Sequence, residues 1–521
     1  MLLALERILT PSGFPRGSGY HLFKDAYFGR DSLEVAEDLL DMRPDIARSV
    51  ILRLASLQGT TTDRRTEEEP GKIHHEYRVL TLEGEDIDEA GRAIFRQLAQ
   101  HWEIATAPDE LDALTDFIYY GTVDATPLYV RLVAEYARRV DPSILEVPYT
   151  PRRQESERCP TVRQSVRRAV EWIVGSLERS DLGLLEFQRM TPRGHRFQAW
   201  KDGTTSYVHL DGSFANYNGP IASVEVQGLA YDALIAAAQL LGEQEGAETE
   251  RWIGLACRLR DAVLSHFWMS DRQYFAMALD RDPSTGQPRQ LQVLTSNPGA
   301  TLDSGLFDGL DSERRKQVVS AIVNRIYSDE FLTPVGIRCN CLSHQDLLDY
   351  MAYQSSHTVW HKETYDIAKG LRRQGFPHLA DDLDVRLLNA VNVVGGATEF
   401  LYVLPDGQVD YDPFLARTGE PAEAIVGTNV PENDQAWSIS AALAIKWRRG
   451  RRGRVEPATV GWEAELERNK RREIPPARLF TTNTEIAEAR ERSPSFKLNA
   501  TEGFRRERQY VQAQELPAAG P

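Results

Sequence analysis

Two carboxylates in unusual settings carry the chemistry that this sequence offers. Trp200, Lys201 and Asp202 stand together in a polar, glycine-rich loop of the stretch 194–234, which closes on an apolar helical pattern from Ile221. An apolar aromatic neighbour desolvates a carboxyl group and raises its pKa, so Asp202 beside Trp200 is the candidate general acid. The plain alternative is a turn aspartate before Gly203. The same stretch adds Asp211, His195 and His209, with Glu225 in the first turns of the helix. Glu399 follows Gly395 and Gly396 and precedes apolar Phe400 and Leu401, an odd place for a charge that only decorates a surface. A protonated acid facing an ionised base is the arrangement general acid–base chemistry needs. Glu432, just upstream of Gln435 and Trp437, is the fallback base.

Other polar clusters recur where loops meet helical patterns. In Tyr27-Phe28-Gly29-Arg30-Asp31-Ser32, a helix cap at Asp31 with Arg30 as its salt-bridge partner explains the pair without a ligand. His74, His75 and Glu76 are consecutive, so they cannot share a helix face as an H-E-x-x-H zinc site does, and Arg78 follows closely. Asp124, in Tyr119-Tyr120-Gly121-Thr122-Val123-Asp124, reads equally as a helix cap or as a ligand contact. The run YQSSHTVWHKETYDIAKG (353–370) places His357 and His361 four apart beside Trp360, without a third metal ligand. No metal and no cofactor are expected.

The elements that must position these residues are helical. Apolar spacing of helical period begins at Leu33, breaks at Pro44, resumes to Leu57, and recurs at 87–98, 125–137, 162–177, 221–241, 252–267, 314–326, 358–373, 378–391 and 434–447. Only short β-like runs such as 290–294 and 400–404 intervene, and some of the loops are long enough to suggest function. An all-α domain over 15–448 is the expectation. From 449 to 521 the basic clusters and scarce apolar positions predict a disordered or loosely docked tail.

Composition bounds the function. The chain has 521 residues, 41% of them hydrophobic, enough for a sizeable core, and a formal charge of −16 that argues against a nucleic-acid partner and permits a neutral ligand. Cys159, Cys257, Cys339 and Cys341 form no disulfide framework or paired zinc motif. Met1 is followed by four apolar residues and then a Glu, unlike a signal peptide, and no window reaches the ~18 apolar residues of a membrane span. These features predict a cytoplasmic protein without a membrane partner; oligomeric state is not legible.

From Gln198 to Gly203, and again at Val224-Glu225-Val226-Gln227-Gly228, the sequence resembles the bacterial glycogen-debranching (amylo-α-1,6-glucosidase) family and its glycoside-hydrolase relatives. Four further stretches share the resemblance: F-G-R-D at 28–31, P-G-K-I-H-H-E-Y-R at 70–78, Y-G-T-V-D-A-T-P-L at 120–128, and Q-A-W-S at 435–438. The 353–370 run is similar to a further family element but has Ser355, His357, His361, Lys362 and Glu363 in place of the usual residues, with Tyr353 one place early. The resemblance covers roughly 20–447 and implies an all-α, (α/α)6 six-hairpin toroid barrel with long functional loops and minor β hairpins. It implies Asp202 as general acid and Glu399 as general base, although Thr398 replaces the usual proline. It also implies Tyr27, Arg30, Asp31, Glu76, Arg78, Asp124, Trp200, Lys201, Glu225, Gln227, His357, Trp360, Gln435 and Trp437 as substrate contacts or supports. Adjacent guanidinium and carboxylate groups suit vicinal hydroxyls, since one donates and the other accepts fixed hydrogen bonds.

The expected function is therefore inverting hydrolysis of a terminal α-glucosidic bond, foremost the α-1,6 bond of a glycogen-type branch or oligosaccharide. Hydrolysis of a small α-glucoside, a glucosylated polyol or organic acid, is the alternative, with Lys362 and the histidines at 357 and 361 as candidates for an anionic aglycone. A non-catalytic carbohydrate-binding or scaffold protein is the reading from another class.

Overall fold

A computed structural model describes residues 1–19, 23–153, 159–242, 246–348, 350, 352–410, 431–451 and 461–479. In chain order the described helices are α1 (Leu2–Ile8), α2 (Gly29–Asp38), α3 (Pro44–Ser56), α4 (Glu89–His101), α5 (Pro108–Ala113), α6 (Ala125–Arg139), α7 (Val162–Arg179), α8 (Val224–Leu241), α9 (Gly246–His266), α10 (Asn297–Ala300), α11 (Ser312–Ile326), α12 (His361–Arg373), α13 (Pro377–Val394), α14 (Ala436–Arg451) and α15 (Trp462–Lys470). Their ends follow local chemistry. Asp88 and Asp311 accept from the backbone N–H groups of Gly91 and Arg314, and Thr161 with Gln164 forms a capping box on α7. Pro44 and Pro377 open α3 and α13, where a missing N–H costs nothing.

The helices close into a ring. Each inner helix packs on the next in the order α2, α6, α8, the short segment of α10 with the turn Thr301–Asp303, α12, α14, and back to α2. Around them α3, α7, α9, α11 and α13 each pack on the inner partner that precedes them, and α1 packs on α14 to complete the sixth pair. This is an (α/α)6 six-hairpin barrel. Because every outer helix returns the chain, the inner helices run the same way and their N-termini gather at one end of the ring. Small antiparallel sheets brace that end: Ala26–Phe28 with Glu76–Val79 and Asp116–Tyr119, and Thr358–Trp360 with Phe400–Val403 and Val409–Asp410.

Several expectations shift. The helix expected from 358 starts at His361, because Thr358–Trp360 is a strand whose Trp360 lies opposite Phe400. Likewise Ala222–Ser223 is a strand and α8 begins at Val224. Of the run 290–294 only Gln290 is in a strand, as the last residue of Pro288–Gln290. The ring recruits α1, ahead of residue 15. Beyond 448, α14 extends to Arg451 and α15 packs on α11 and α13, whereas 452–460 and 480–521 lie outside the described residues.

The ring axis is charged. Arg131 of α6 reaches Glu37 at 2.6 Å and Asp303 at 3.5 Å, Lys362 reaches Glu34 at 2.8 Å and Asp366 at 2.7 Å, and Lys369 reaches Asp366 at 2.9 Å and Asp38 at 3.1 Å. These carboxylates outnumber the cations. Burial, only partly offset by Lys362, pushes Glu34 up to about 8, and burial likewise pushes Asp303 up to about 7 and Asp38 up to about 6, while Lys362 and Lys369 hold Asp366 well below the usual range. A carboxyl whose folded pKa is raised binds its proton more tightly folded than unfolded, so its contribution to stability falls as pH rises through the folded value. The melting temperature is expected to decline between about pH 7 and pH 9, above the range in which the buried histidines, lowered by burial, act the other way, and Glu34→Gln to flatten that decline. Thermal scans across pH check this; a wild-type melting temperature that rises to pH 9 would refute it.

Candidate active site

The loops entering the inner helices deliver the singled-out residues to one place. Arg30, in the first turn of α2, donates from Nη1 to Asp124 Oδ2 at 2.9 Å and from Nη2 to Asp202 Oδ2 at 2.7 Å. The simple cap readings therefore fail. Phe28, not Asp31, occupies the cap position of α2, and Asp124 at the cap position of α6 makes no capping bond but binds Arg30 and accepts from Thr122 at 2.6 Å. Gly29 is required where it stands, because a Cβ there would lie 2.1 Å from the His74 carbonyl oxygen. Burial raises Asp202 above the usual carboxylate range, with Arg30 pulling the other way, and its side chain keeps 19% exposure. Burial pushes Asp31 up to about 7 against the attraction of Arg30.

Glu399 arrives from the other side of the ring mouth. Gly395, with φ +73°, ends α13 in the left-handed conformation and turns the chain toward the strand Phe400–Val403. The Glu399 carboxylate accepts from the Tyr353 hydroxyl through Oε1 and from the Glu432 backbone N–H at 3.1 Å through Oε2, and the Glu399 N–H donates to the Glu432 carbonyl at 2.8 Å. The Glu432 carboxylate accepts from Ser18 at 2.7 Å. Tyr353 ties the two halves together. Burial raises its phenol well above the usual range, and the negative charges of Glu399, Asp202 and Asp31 raise it further. The backbone agrees, since Gly203 N–H donates to Gln354 Oε1 at 3.2 Å and a Cβ on Gly203 would sit 3.0 Å from Tyr353 Cβ.

Trp200, near Asp202 in sequence, lies edge-on to Trp360 at 5.5 Å between ring centres, with the Lys362 ammonium 5.4 Å from its ring. Trp360 itself is packed among Phe400, Tyr353 and Trp437 and is 1% exposed, so it backs Trp200 and Tyr353 from the interior. At the start of α14, the buried Gln435 amide and the Trp437 indole N–H have no hydrogen-bond partner among the described residues. Glu225 is buried at the start of α8, its carboxylate accepting from Ser223 and its pKa raised by burial.

Other expected contacts lie elsewhere. Lys201 is 0% exposed and donates to Ser296 at 3.0 Å and the Cys339 carbonyl at 2.8 Å, with Glu363 at 3.6 Å; it fastens the starts of α10 and α12. Gln227 is spent on the Leu185 backbone and the Ser223 carbonyl. Tyr27 is buried against Tyr77 and Phe14 and donates to Glu83 at 3.2 Å. Glu76 and Arg78 pair with each other at 3.1 Å in a small sheet. His357 packs on Tyr350, its ring nitrogen 3.4 Å from the Val403 carbonyl. Lys362 is taken by the ring-axis carboxylates and His361 is buried beside the Glu399 carbonyl, so neither is disposed toward an anionic aglycone. Among the described residues no cluster could hold a metal ion. Tyr353 is the functional candidate that spacing missed: its one-residue offset in the 353–370 run hid a hydroxyl that donates to Glu399.

No family model and no curated protein matches the chain. Among solved structures, the chain is similar to the GH63 mannosylglycerate hydrolase from Thermus thermophilus in complex with glucose, with TM-score 0.53 and 15% identity over 86% of this chain and 98% of that chain. The same hydrolase in complex with Tris and D-glycerate gives TM-score 0.51 and 14% identity over 86% of this chain and 98% of that chain. An uncharacterized conserved protein from the same organism gives TM-score 0.52 and 15% identity over 86% and 98% of the respective chains. At these identities the likeness is one of fold.

The anchoring role of Lys201 has a measurable consequence. Removing the cation strands Glu363 in the interior, so Lys201→Met is expected to destabilise the protein by about 3–5 kcal/mol in denaturant unfolding. A loss under about 1 kcal/mol would contradict the assignment.

Proposed function

We propose that the protein is an inverting glycoside hydrolase acting on a small α-glycoside, a sugar joined to a polyol or small organic acid. The observation that carries this reading is the placement of two carboxylates about Tyr353, whose hydroxyl donates to Glu399 while the Asp202 charge acts on the same phenol. Asp202 is half-buried, with its carboxyl pKa raised by burial, and Glu399 accepts from the Tyr353 hydroxyl and the Glu432 backbone N–H. Asp202 gives its proton to the glycosidic oxygen as the C1–O bond breaks. Glu399 takes a proton from water as the water oxygen bonds to C1 from the opposite face. Arg30 then stabilises the Asp202 carboxylate left behind. Asp31, Gln435 and Trp437 are the candidates for holding sugar hydroxyls, and Trp200 for packing on the ring.

The small substrate is supported by enclosure: Trp200, Asp31 and Arg30 are all buried, and Asp202 is only partly exposed. It is also supported by the fold likeness to a hydrolase of mannosylglycerate, itself a small glycoside. The α-1,6 branch of a glycogen-type polymer rests on sequence resemblance alone and gives way to this reading.

Sugar release from glucosyl and mannosyl derivatives of glycerol and glycerate, beside isomaltose and limit dextrin, tests the proposal. Asp202→Asn and Glu399→Gln are each expected to lower kcat by about 10²–10⁴-fold. Tyr353→Phe removes a hydrogen bond from the ionised base, so the acid limb of the kcat/KM profile is expected to move to higher pH. Full activity in Asp202→Asn would sink the assignment of the acid, and preference for limit dextrin over every small glycoside would restore the polymer reading.

A further inference from the structure

A cavity of about 380 Å³ opens beside the outer helix α7, and none of Arg30, Asp31, Asp202 and Glu399 lines it. The loop 121–124 divides the two sites: Thr122 lines the cavity while its hydroxyl donates to Asp124 at 2.6 Å. The volume falls within the range of small-molecule sites.

The polar groups of this cavity are built in. Gly71, with φ +87°, presses its turn onto α7 so closely that a Cβ would stand 2.1 Å from the Arg168 carbonyl oxygen, and this delivers Lys72 to the cavity wall. The Lys72 side chain is 5% exposed, yet among the described residues its ammonium finds only the Glu67 carbonyl at 3.4 Å, Glu69 at 3.6 Å and the Trp172 ring at 5.7 Å. Both oxygens are well beyond the ~2.8 Å of a charge-assisted bond. Trp172 is 7% exposed and its indole N–H, in a residue that lines the same space, has no acceptor among the described residues. Fold-stable interiors rarely leave such donors unused unless a ligand or water serves them.

Acceptors stand among these donors. Glu69 and Glu186 line the cavity, Glu186 also binding Arg281 at 2.7 Å. With Arg179 and Lys72 set against Glu69, Glu186 and Asp181, the lining carries no strong excess of either sign, and Val123, Phe187 and Pro220 supply apolar contact. Interleaved donors and acceptors beside apolar patches suit a neutral molecule with many hydroxyls and C–H faces.

We propose that this cavity is a second binding site for a neutral polyhydroxylated molecule of monosaccharide size. Lys72 and the Trp172 indole donate to its oxygens, and Glu69 and Glu186 accept from its hydroxyls. The proposal is independent of the reaction assigned to Asp202 and Glu399. Its test is a crystal of the full chain soaked in D-glucose, with calorimetric titration of D-glucose in solution. Glucose is expected in the cavity within hydrogen-bond distance of Lys72 Nζ and Trp172 Nε1. A saturable binding event is expected to survive Asp202→Asn, to weaken about tenfold in Lys72→Met through loss of the charged donor, and to vanish in Ser176→Phe, which fills the cavity. Melting temperatures confirm that the variants fold. A cavity holding only water at saturating glucose overturns the proposal, as does glucose binding abolished by Asp202→Asn or indifferent to both Lys72→Met and Ser176→Phe.

Discussion

The Arg30 guanidinium, forked between Asp124 and Asp202, is the interaction on which the rest of the site depends. Its three residues come from three successive hairpins of the ring: the start of α2, the cap of α6 and the loop that leads toward α8. A planar fork holds two carboxylates in fixed directions in a way that an ammonium does not. The pair Arg30–Asp124 is nearly sealed from water, so neither member is tolerable without the other, and losing one partner of such a pair typically costs about 3–5 kcal/mol. Asp202 is the more exposed arm, and the opposition of burial to Arg30 sets its proton affinity.

The ring topology explains why Glu399 can be so far from Asp202 in sequence. Parallel inner helices bring all their N-termini to one mouth, where the partial positive charge of helix ends favours anionic groups. Glu399 reaches that mouth because Gly395 stops α13 and the strand Phe400–Val403 pairs with Thr358–Trp360 at the entrance to α12. The reciprocal backbone bonds between Glu399 and Glu432 and the Tyr353 hydroxyl then leave the carboxylate little freedom. Trp360, Phe400 and Tyr353 form the aromatic backing of this wall.

Much of this was legible in the residues themselves. The helical periods predict most of the inner and outer helices, and glycine or aromatic neighbours single out Asp202 and Glu399. What stayed hidden is non-local. The sixth outer partner is α1, seven residues long, and only its packing on α14, at the far end of the ring in sequence, gives it a role. Lys201, Gln227 and His357 sit within motifs that point to ligand binding, yet burial commits each to backbone and side-chain partners that no spacing reveals. Glu34, Asp38 and Lys369 carry no signal of their own in the sequence and Lys362 pointed to an anionic aglycone; the closed ring turns all four inward into one ion-pair network. Tyr353 was obscured by a one-residue shift, since register in a loop is not fixed by any period.

The proposed action of Asp202 and Glu399 on opposite faces of one sugar has a direct signature in the anomeric form of the first product. Proton NMR of the reaction mixture in its first moments, on an α-glycoside the protein hydrolyses, is predicted to show the β-anomer appearing before mutarotation, as attack by a water held on Glu399 requires. Initial release of the α-anomer would contradict the inverting pair, because retention requires an enzyme carboxylate to bond to C1 itself in a covalent intermediate that water then hydrolyses.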